Sequence, residues 1–523
     1  MSQGESIYIT TPVFYPNDKP HLGHAFTVVL ADCLKRYYSS LGYKCWMSVG
    51  TDEHGEKIFK AAESKGIPVE EFIDGNVSKF KELWNDLGIK YDRFMRTSDN
   101  AHKQLVRKIF EQFENTNQIY VDEWKGWYCT SCEEGYSYRS ISKTAVCKLG
   151  HALSIKNERT FFLRVVPFKA WLMKEYQERD LLIYPSHYKK EMINNFINDL
   201  DDLSITRGNV DWGIKVPDRE DQTIYVWFDA LIGYLSALHY GNFGKGAANS
   251  QHFHVFWESP GRKVIHIIGK EICRFHSIYW PIMLKNLNLE LFDTLLVHGW
   301  LLMNNDKMSK SKQNVIDPVQ VINDFSREAL RFYLSKFNFL VDNQVSMREI
   351  QVVYNSYLAN TFGNLISRFY GIVSKKFDLQ VPDDVNIEEF IEIDQLNIQI
   401  GMFLDKEYEE YVEQLSPYLI VEKVFDLFRT AGKLIEKNKA WELPSDSNLL
   451  KSLMHVIYKL LCVGTWSLSP ILIDSYPEIF DVLNVSHKKA NLEYLKKDRL
   501  YSKKTINPLN KVFFPRITIS EYE

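Results

Sequence analysis

The sequence has no apolar run long enough to span a bilayer, although 45% of its 523 residues are hydrophobic. Its first ten residues, MSQGESIYIT, enter a predicted strand too soon for a signal or transit peptide, so we expect a cytoplasmic protein without membrane contact. Internal repeats and low-complexity segments are also missing. These absences exclude membrane-spanning and repeat proteins and leave a globular chain of two or three domains.

Cysteines are few, and the chain has no excess of positive over negative charge. Seven cysteines in so long a chain do not suggest a disulfide scaffold. The formal net charge is −4, so the chain is not a polycation, and any nucleic-acid contact must use local basic surface. One such surface is the segment HKKANLEYLKKDRLYSKKTINPLNKVFFPR, which begins at His487. A solvated structural tail explains that segment equally well.

Strand and helix patterns alternate over the first part of the chain. SIYITTPVFY predicts a buried strand, AFTVVLADCLKRYYSSLG a helix that stops at Gly42, YKCWMSVG a second strand and KIFKAAESKG its following helix. The sheet pattern is expected again in QTIYVWFDALIGYLSAL, KVIHIIGKEICRFHSIYWPIML and DTLLVHGWLLM. This βαβ alternation predicts an α/β fold with a Rossmann-like, doubly wound parallel sheet.

Three parts are expected along the chain. Residues 1–115 and 201–345 form the α/β domain, and residues 116–200 form a cysteine-rich, aromatic insertion within it. Residues 346–523 form an all-α domain with a basic C-terminal segment, because helical periodicity replaces the strand pattern there. The residues predicted to share one helical face in this domain are Leu358, Phe362, Leu365, Ile366 and Phe369.

The four residues HLGH, at 21 to 24, open the helix that follows the first strand. Free backbone N–H groups and the helix dipole favour a negative ligand at such a position. His21 and His24 can donate hydrogen bonds to phosphate oxygens, and Gly23 lets a base or ribose approach the backbone. The simpler interpretation, in which the histidines cap the helix and the glycine relieves crowding, is preferred for these four residues alone.

The insertion contains CTSC at 129 to 132 and CKLGH at 147 to 151. Its four soft ligands, Cys129, Cys132, Cys147 and His151, suit tetrahedral Zn²⁺ in a zinc knuckle. All four coordination positions would be filled, so the ion would be structural and would stabilise an insertion too small for its own core. The alternative is a set of buried, reduced cysteines beside an unrelated histidine.

A lysine-rich turn, NNDKMSKSKQN, follows a predicted strand. It carries Lys307, Lys310 and Lys312 on a loop that can close over a triphosphate and neutralise the departing pyrophosphate. Taken alone, the turn is equally compatible with a solvated polar loop.

Together, the two motifs point to a family. HLGH resembles the HIGH signature, and KMSKS matches the KMSKS signature, of class I aminoacyl-tRNA synthetases. The blocks TTPVFYPNDKPHLGHA, GTDEHG, YVWFDALIGY, HIIGKEICRFH and DKMSKSKQNVIDP are similar, in the same order, to those of the methionyl-tRNA synthetase family. This resemblance covers essentially the whole chain. It implies ATP-dependent formation of methionyl-adenylate and transfer of methionine to the 3′-terminal adenosine of tRNA(Met), with release of AMP and pyrophosphate.

The resemblance also assigns residues that bind ATP. These are His21, Gly23, His24, Gly269, Lys270, Glu271, Lys307 and Lys310. His21, His24, Lys307 and Lys310 are the expected catalytic residues, because they would stabilise the phosphates while Mg²⁺ neutralises the leaving group. Glu271 departs from the family pattern, since many members have aspartate there.

A second set of residues is assigned to methionine. Asp52 would hold the α-ammonium group, Arg207 would keep that aspartate in place, Tyr15 would close over the substrate and Trp227 would form a wall of the thioether pocket. The remaining expected pocket residues are Val13, Ala230, Leu231, Tyr234, Ile272, Phe275 and His276. Some members have proline where Leu231 stands. Without the resemblance, Tyr15, Trp227 and Phe275 would be interpreted as core aromatic residues.

The helical domain would read the anticodon of the tRNA. Trp441 matches a position where an aromatic ring stacks on an anticodon base, and Asn355 and Asn360 can read base edges. Surface amides without a partner are nearly as good an interpretation of the two asparagines. No further module is apparent after the basic segment, so a monomer is expected.

Two other functions compete with this assignment. One is a different class I synthetase, although the large editing insertion of the valine, isoleucine and leucine enzymes has no room in this chain. The other is a zinc-knuckle RNA-binding protein with an inactive nucleotide fold.

Overall fold

The computed structural model describes residues 5–130, 134–136, 146–147, 150–180, 182–208, 210–241, 250–303, 306–307, 315–383, 385–497 and 500–519. The strands are β1 (Ser6–Phe14), β2 (Lys44–Thr51), β3 (Arg93–Arg96), β4 (Ile119–Cys129), β5 (Glu134–Tyr136), β6 (Ser154–Leu163), β7 (Ile183–Tyr184), β8 (Leu203–Ser204), β9 (Thr206–Gly208), β10 (Lys215–Val216), β11 (Arg219–Ile224), β12 (Lys263–Gly269), β13 (Thr294–His298), β14 (Leu301–Met303), β15 (Asp306–Lys307) and β16 (Asn343–Gln344).

The helices are α1 (Leu22–Ser40), α2 (Glu56–Glu63), α3 (Val69–Asp86), α4 (Asn100–Asn115), α5 (Lys169–Glu178), α6 (Ser186–Met192), α7 (Val226–Ser236), α8 (Ser250–Phe253), α9 (Trp280–Asn286), α10 (Pro318–Asp324), α11 (Arg327–Lys336), α12 (Met347–Val353), α13 (Asn364–Phe377), α14 (Ile391–Met402), α15 (Tyr408–Glu413), α16 (Pro417–Lys437), α17 (Asn448–Leu468), α18 (Ser475–Val482) and α19 (Leu492–Leu495).

The central sheet has six strands in the order β3-β2-β1-β12-β13-β7. Every neighbouring pair in it is parallel. β1, β12 and β13 are buried over almost their whole length, as expected for inner strands that are covered on both faces. The predicted Rossmann-like parallel sheet is therefore confirmed.

β1 continues through Pro12 instead of breaking there. Its pairing with β2 shifts register between Thr10 and Val13. Proline cannot donate to the ladder, and an irregularity in the pairing is the usual way in which a strand accommodates it. The strand therefore still delivers Val13 and Phe14 to the carboxyl end of the sheet.

The predicted sheet pattern in QTIYVWFDALIGYLSAL was wrong for most of its length. β11 ends at Ile224, and α7 takes the chain from Val226 to Ser236. Residues 226 to 235 of that helix are all buried. A helix that is buried on every side has no polar face, so its apolar run is indistinguishable from that of an inner strand. The run after β12 likewise turns helical beyond Gly269.

The insertion contains an antiparallel sheet in the order β5-β4-β6-β8. β4 and β6 pair continuously from Ile119 with Leu163 to Tyr128 with Ser154. Phe161 and Leu163 of β6 belong to the same hydrophobic core cluster as α7 and β13. The insertion is therefore packed on the core of the parallel sheet.

Contacts divide the chain into two compact units. The sheet unit comprises Met1–Pro20, Lys44–Trp84 and Lys90–Trp300, and the helical unit comprises His21–Tyr43, Asn85–Ile89 and Leu301–Glu523. The helical unit thus includes α1 as well as α10 to α19. The three-part division of the sequence stays a prediction.

In the helical unit, the predicted shared face is confirmed. Leu358, Phe362, Leu365, Ile366 and Phe369 are all buried. α1 has a buried polar contact of its own, because the Asp32 carboxylate accepts a hydrogen bond of 2.7 Å from Arg331 Nη2 and both side chains are fully buried. This ion pair joins α1 to α11.

Within the described residues, none of the helices has both the length and the apolar character that crossing a membrane requires.

Candidate active site

The HLGH residues cap α1 with their own side chains. His21 is the N-cap, and its Nδ1 accepts a hydrogen bond of 3.0 Å from the Gly23 backbone N–H. His24 Nδ1 in turn accepts one of 3.1 Å from the His21 backbone N–H, and the two rings stack with their centroids 3.9 Å apart. Because each Nδ1 is an acceptor, the proton of each neutral ring lies on Nε2, which is the donor that a phosphate oxygen requires.

Gly23 is needed by this cap. A Cβ at its position would lie 2.9 Å from His21 Cε1, closer than real Cβ contacts come. A larger residue would push away the capping imidazole. The start of α1 therefore requires glycine at position 23 for a steric reason. The observed geometry matches the simpler interpretation of the sequence, in which His21 and His24 cap the helix.

The lysine-rich turn is described only at its start. β15, which ends at Lys307, pairs antiparallel with β14. The Lys307 side chain, Lys310 and Lys312 lie outside the described residues. Lys307 therefore lies in a short strand paired with Leu302 of β14, and not on the flexible loop that the sequence predicted for it.

After the end of β12, Lys270 and Glu271 both contact the indole of Trp300. Lys270 Nζ is 3.9 Å from the centroid of the indole, and Trp300 Nε1 donates a hydrogen bond of 2.8 Å to Glu271 Oε2. A Cβ at Gly269 would lie 2.5 Å from the same carboxylate oxygen. Sequence reasoning missed Trp300, although its position after β13 was a usable signal, since ligands bind beyond the carboxyl ends of parallel strands.

The expected methionine residues include a stacked aromatic pair. The rings of Trp227 and Phe275 are 4.0 Å apart and inclined by only 3°. His276 meets the same indole edge-on, with centroids 6.1 Å apart. The Trp227 Nε1 donor is buried and has no hydrogen-bond partner among the described residues. Such a donor is costly unless a ligand or water satisfies it.

Next to this pair, His276 is held in one neutral tautomer. Its Nδ1–H donates to the Ile272 carbonyl at 3.0 Å, so Nε2 accepts the 2.7 Å hydrogen bond from the Tyr234 hydroxyl. Burial lowers the pKa of His276 to about 4. Burial also raises the pKa of Tyr234, and electrostatic interactions with Tyr8 and Asp52 raise it further.

Asp52 follows β2 and is buried, with 3% of its surface exposed. Its backbone N–H donates a hydrogen bond of 2.9 Å to the Phe14 carbonyl at the end of β1. Arg207 does not bond to Asp52 in this structure. Its Nη1 donates instead to Ser204 and Thr206, and its guanidinium lies 4.1 Å from the Tyr225 ring centroid.

The other expected methionine residues lie in the same unit. Leu231 and Tyr234 belong to the core cluster that contains Trp227 and Phe275, and Val13, Tyr15 and Ile272 pack against it while partly exposed. Ala230 is buried. Apart from Ala230, the apolar members of the predicted set thus belong to one hydrophobic core cluster or pack against it.

The insertion brings three of the four predicted metal ligands together. The ligand atoms of Cys129, Cys147 and His151 all lie within 4.8 Å of one another. His151 Nδ1 is 3.5 Å from Cys147 Sγ and 3.8 Å from Cys129 Sγ. Tetrahedral Zn²⁺ with ordinary bond lengths separates a sulfur and a nitrogen ligand by about 3.6 Å, so this donor set fits zinc. Cys132 lies outside the described residues.

The three predicted anticodon residues differ in their surroundings. Trp441 is 50% exposed, and Asn360 is exposed on the helical segment after α12. The Asn355 amide instead bonds at both ends to the backbone of Ile517, with Nδ2 donating at 2.7 Å and Oδ1 accepting at 3.0 Å. Asn355 therefore holds the C-terminal segment, whereas the side chains of Trp441 and Asn360 are exposed to solvent.

The model of the family "tRNA synthetases class I (M)" matches residues 7–154 and 143–370. The chain belongs to this family. It is 38% identical to the methionine–tRNA ligase of Mycoplasma genitalium over 98% of this chain and 99% of that protein. It is 35% identical to the methionine–tRNA ligase of Ureaplasma parvum, with both chains covered completely.

Solved structures agree with this membership. The methionyl-tRNA synthetase of Mycobacterium tuberculosis in complex with methionyl-adenylate superposes with a TM-score of 0.90 at 27% identity. The match covers 98% of this chain and 100% of that one. The class I synthetase fold that the sequence resemblance implied is therefore confirmed.

Proposed function

We propose that the protein is an ATP-dependent methionine–tRNA ligase, which forms methionyl-adenylate and transfers methionine to the 3′-terminal adenosine of tRNA(Met). The observation that carries this proposal is the group of side chains in contact around Trp227. Stacked aromatic rings, an unpartnered buried indole N–H and the buried carboxylate of Asp52 suit the thioether, the carboxylate and the ammonium group of one amino acid. Family membership supports the same substrate.

Asp52 would accept hydrogen bonds from the methionine ammonium group. Its carboxylate sits in a buried position, where a charge-assisted hydrogen bond is stronger than in water. The thioether would lie against the Trp227 and Phe275 rings, a contact worth about 0.3–1.5 kcal/mol. The neutral Tyr234–His276 pair lines the pocket without adding a charge that a thioether would not tolerate. Arg207 would contribute by holding β8 and its own strand β9 in place, since its Nη1 bonds to Ser204 and Thr206.

The methionine carboxylate would attack the α-phosphorus of ATP in line, and pyrophosphate would leave. Nε2–H donors of His21 and His24, together with Lys307 and Lys310, would stabilise the phosphate charge, and Lys270 would assist them. Gly23, Gly269 and Glu271 would contact the nucleoside. Mg²⁺ accompanies ATP and would neutralise the leaving group. Positioning and charge stabilisation suffice, so no covalent enzyme intermediate is required.

In the second step, a ribose hydroxyl of the tRNA would attack the adenylate carbonyl and release AMP. The exposed ring of Trp441 would stack on an anticodon base, and the exposed amide of Asn360 would read a base edge. Asn355 would act with them only if it gave up its bonds to Ile517. We further propose that the protein works in the cytoplasm as a monomer.

We propose in addition that Cys129, Cys132, Cys147 and His151 hold one structural Zn²⁺. The spacing of the three described ligands supports this, and the ion would stabilise the insertion. Metal analysis of protein purified without chelator should find one zinc per chain. A zinc-free preparation with full activity would remove the site and leave the enzyme proposal intact.

The activity is tested by amino-acid-dependent exchange of pyrophosphate into ATP, followed by charging of tRNA. Methionine should support exchange, and valine, isoleucine, leucine and cysteine should not. Exchange with another amino acid would identify a different class I synthetase. No exchange with any amino acid, combined with RNA binding, would instead favour an RNA-binding protein with an inactive nucleotide fold.

A further inference from the structure

The segment that follows β2 is held by more side chains than substrate binding requires. Asp52, Glu53 and His54 are all buried. Only Asp52 has a role in the proposed chemistry. Two adjacent buried polar side chains are costly unless their hydrogen bonds stabilise a particular geometry.

Glu53 ties this segment to the connection between β3 and α4. Its carboxylate accepts hydrogen bonds of 2.5 Å from the Thr51 hydroxyl and 2.8 Å from Arg96 Nε, and one from Ser98. Its backbone N–H donates to the Thr97 hydroxyl at 2.8 Å. The residue next to Asp52 therefore has little freedom to shift toward β3 or away from it.

His54 ties the same segment to α7. Its Nδ1–H donates a 2.6 Å hydrogen bond to Asp229 Oδ2, and His102 Nε2–H donates one of 2.6 Å to Asp229 Oδ1. His102 Nδ1 is in turn 2.7 Å from the Ser236 hydroxyl. We call His54, Asp229 and His102 the histidine clamp. All three side chains are at most 3% exposed.

The charge state of the clamp agrees with its geometry. Burial alone would raise the pKa of Asp229, but His54 and His102 lower it to about 2. The carboxylate is therefore ionised at neutral pH, and both of its oxygens accept hydrogen bonds from the rings. Such charge-assisted bonds are about twice as strong as neutral ones.

The clamp joins the two ends of the proposed methionine pocket. Asp229 is two residues from Trp227 and adjacent to Ala230 on α7, whereas His54 is two residues from Asp52. We propose that Asp229 is a positioning residue that sets the distance between the ammonium-binding carboxylate of Asp52 and the thioether-binding wall at Trp227. Selection for the length of the amino acid then depends on the His54–Asp229 bond. This inference rests on the proposed function.

The proposal is tested with ligands that differ in length. S-methyl-L-cysteine has one methylene fewer between the α-carbon and the sulfur than methionine, and L-norleucine has the same length without sulfur. Discrimination by one methylene is worth about 10- to 200-fold. Asp229→Asn keeps the shape of the side chain but replaces one acceptor oxygen with an amide NH₂, which cannot accept from a histidine N–H.

Equilibrium dissociation constants of the three ligands are measured for wild type and Asp229→Asn. The ratio of S-methylcysteine to methionine constants should fall about tenfold in the variant, because a loosened segment can approach the shorter ligand. The ratio of the norleucine constant to the methionine constant should not change, since the aromatic wall of Trp227 and Phe275 is retained. Equal weakening of all three ligands would show a merely structural role and overturn the proposal.

Two further comparisons guard against loss of the fold. Asp202→Asn is a matched control, because Asp202 accepts bonds from Val165 N–H, Val166 N–H and the Tyr120 hydroxyl, none of which belongs to a residue assigned to methionine or ATP. It should leave both ratios unchanged. His54→Asn retains a donor near the position of Nδ1 and should keep the wild-type ratio, whereas His54→Leu should lower it.

If the two His54 variants gave the same ratio, the proposal would be wrong even if Asp229→Asn did not fold. Binding measurements need no turnover, so a wild-type protein that binds methionine but exchanges no pyrophosphate would count against the proposed function alone. An unchanged ratio of S-methylcysteine to methionine constants in Asp229→Asn and His54→Leu would count against the role of Asp229 alone.

Discussion

The proposed methionine pocket and the proposed phosphate-binding residues of this protein are built in different ways. The pocket residues belong to the hydrophobic core of the sheet unit, where Trp227 stacks on Phe275 and His276 is bonded on both ring nitrogens. The HLGH histidines instead begin a helix of the helical unit, and Lys307 ends a short hairpin strand there.

The difference indicates that selectivity for the amino acid and stabilisation of phosphate charge depend on different kinds of structural element. Shape selection needs rigid side chains, and a close-packed core supplies them. Stabilisation of a departing pyrophosphate needs donors that meet charge as it develops, and helix starts and loops supply those. Variants should therefore divide into a class that weakens methionine binding and a class that slows the chemistry.

The largest effect is expected for Asp52→Ala. Losing one partner of a buried, hydrogen-bonded charge pair costs about 2–5 kcal/mol, which corresponds to about 30- to 4,000-fold weaker methionine binding. Calorimetry with methionine and pyrophosphate exchange should both show the loss. The tRNA should still bind, and Asp202→Asn should behave as wild type. Unchanged methionine affinity would remove Asp52 from the pocket.

A second effect is expected from pH, because His276 is buried in its neutral form. Its pKa of about 4 lies below the ordinary value of 6.5, so between these values the unfolded chain binds a proton that the folded protein does not. The free energy of unfolding should therefore fall as the pH drops from 6.5 to 4, by up to about 3 kcal/mol from this residue.

Urea denaturation of wild type and His276→Gln at several pH values measures this contribution. The difference between their unfolding free energies should change over that range and stay constant above pH 6.5. A constant difference at all pH values would mean that His276 titrates normally in the folded protein.

A smaller and more specific effect is expected for Trp441→Ala. Loss of a stack between a base and an aromatic ring costs about 1–3 kcal/mol, so the KM for tRNA should rise about 5- to 150-fold. Exchange of pyrophosphate needs no tRNA and should not change. Trp441 is 50% exposed, so the melting temperature should stay close to that of wild type. Lower exchange or a destabilised protein would show that the ring is structural.

The sequence predicted α1 and the buried face of the helical domain because their apolar residues recur at helical spacing, and it predicted the parallel sheet from the alternation of strand and helix patterns. It failed at α7, where Val226 to Leu235 are buried on all sides and no period remains. The family motifs placed Trp227, Phe275 and His276 in one pocket, and the structure brings these residues together.

Other parts of the site were beyond sequence reasoning. His102 and Asp229 are separated by 127 residues, so no local pattern links them. Asn355 was predicted to bind base edges, but its side-chain amide is hydrogen-bonded to Ile517, which lies 162 residues away in the sequence. Arg207 was expected at Asp52 and bonds to Ser204 and Thr206 instead. Each of these pairings depends on the tertiary fold.

The central claim, that methionine selection and phosphate chemistry are separate, is tested most directly by one pair of numbers for Lys307→Ala: the dissociation constant for methionine without ATP, and the rate of pyrophosphate exchange at saturating substrates. Removing one preorganised donor to a developing charge typically lowers the rate by about 100- to 1,000-fold. We predict a loss of that size in exchange, with the methionine constant unchanged. Weaker methionine binding with an unchanged maximal exchange rate would contradict the account.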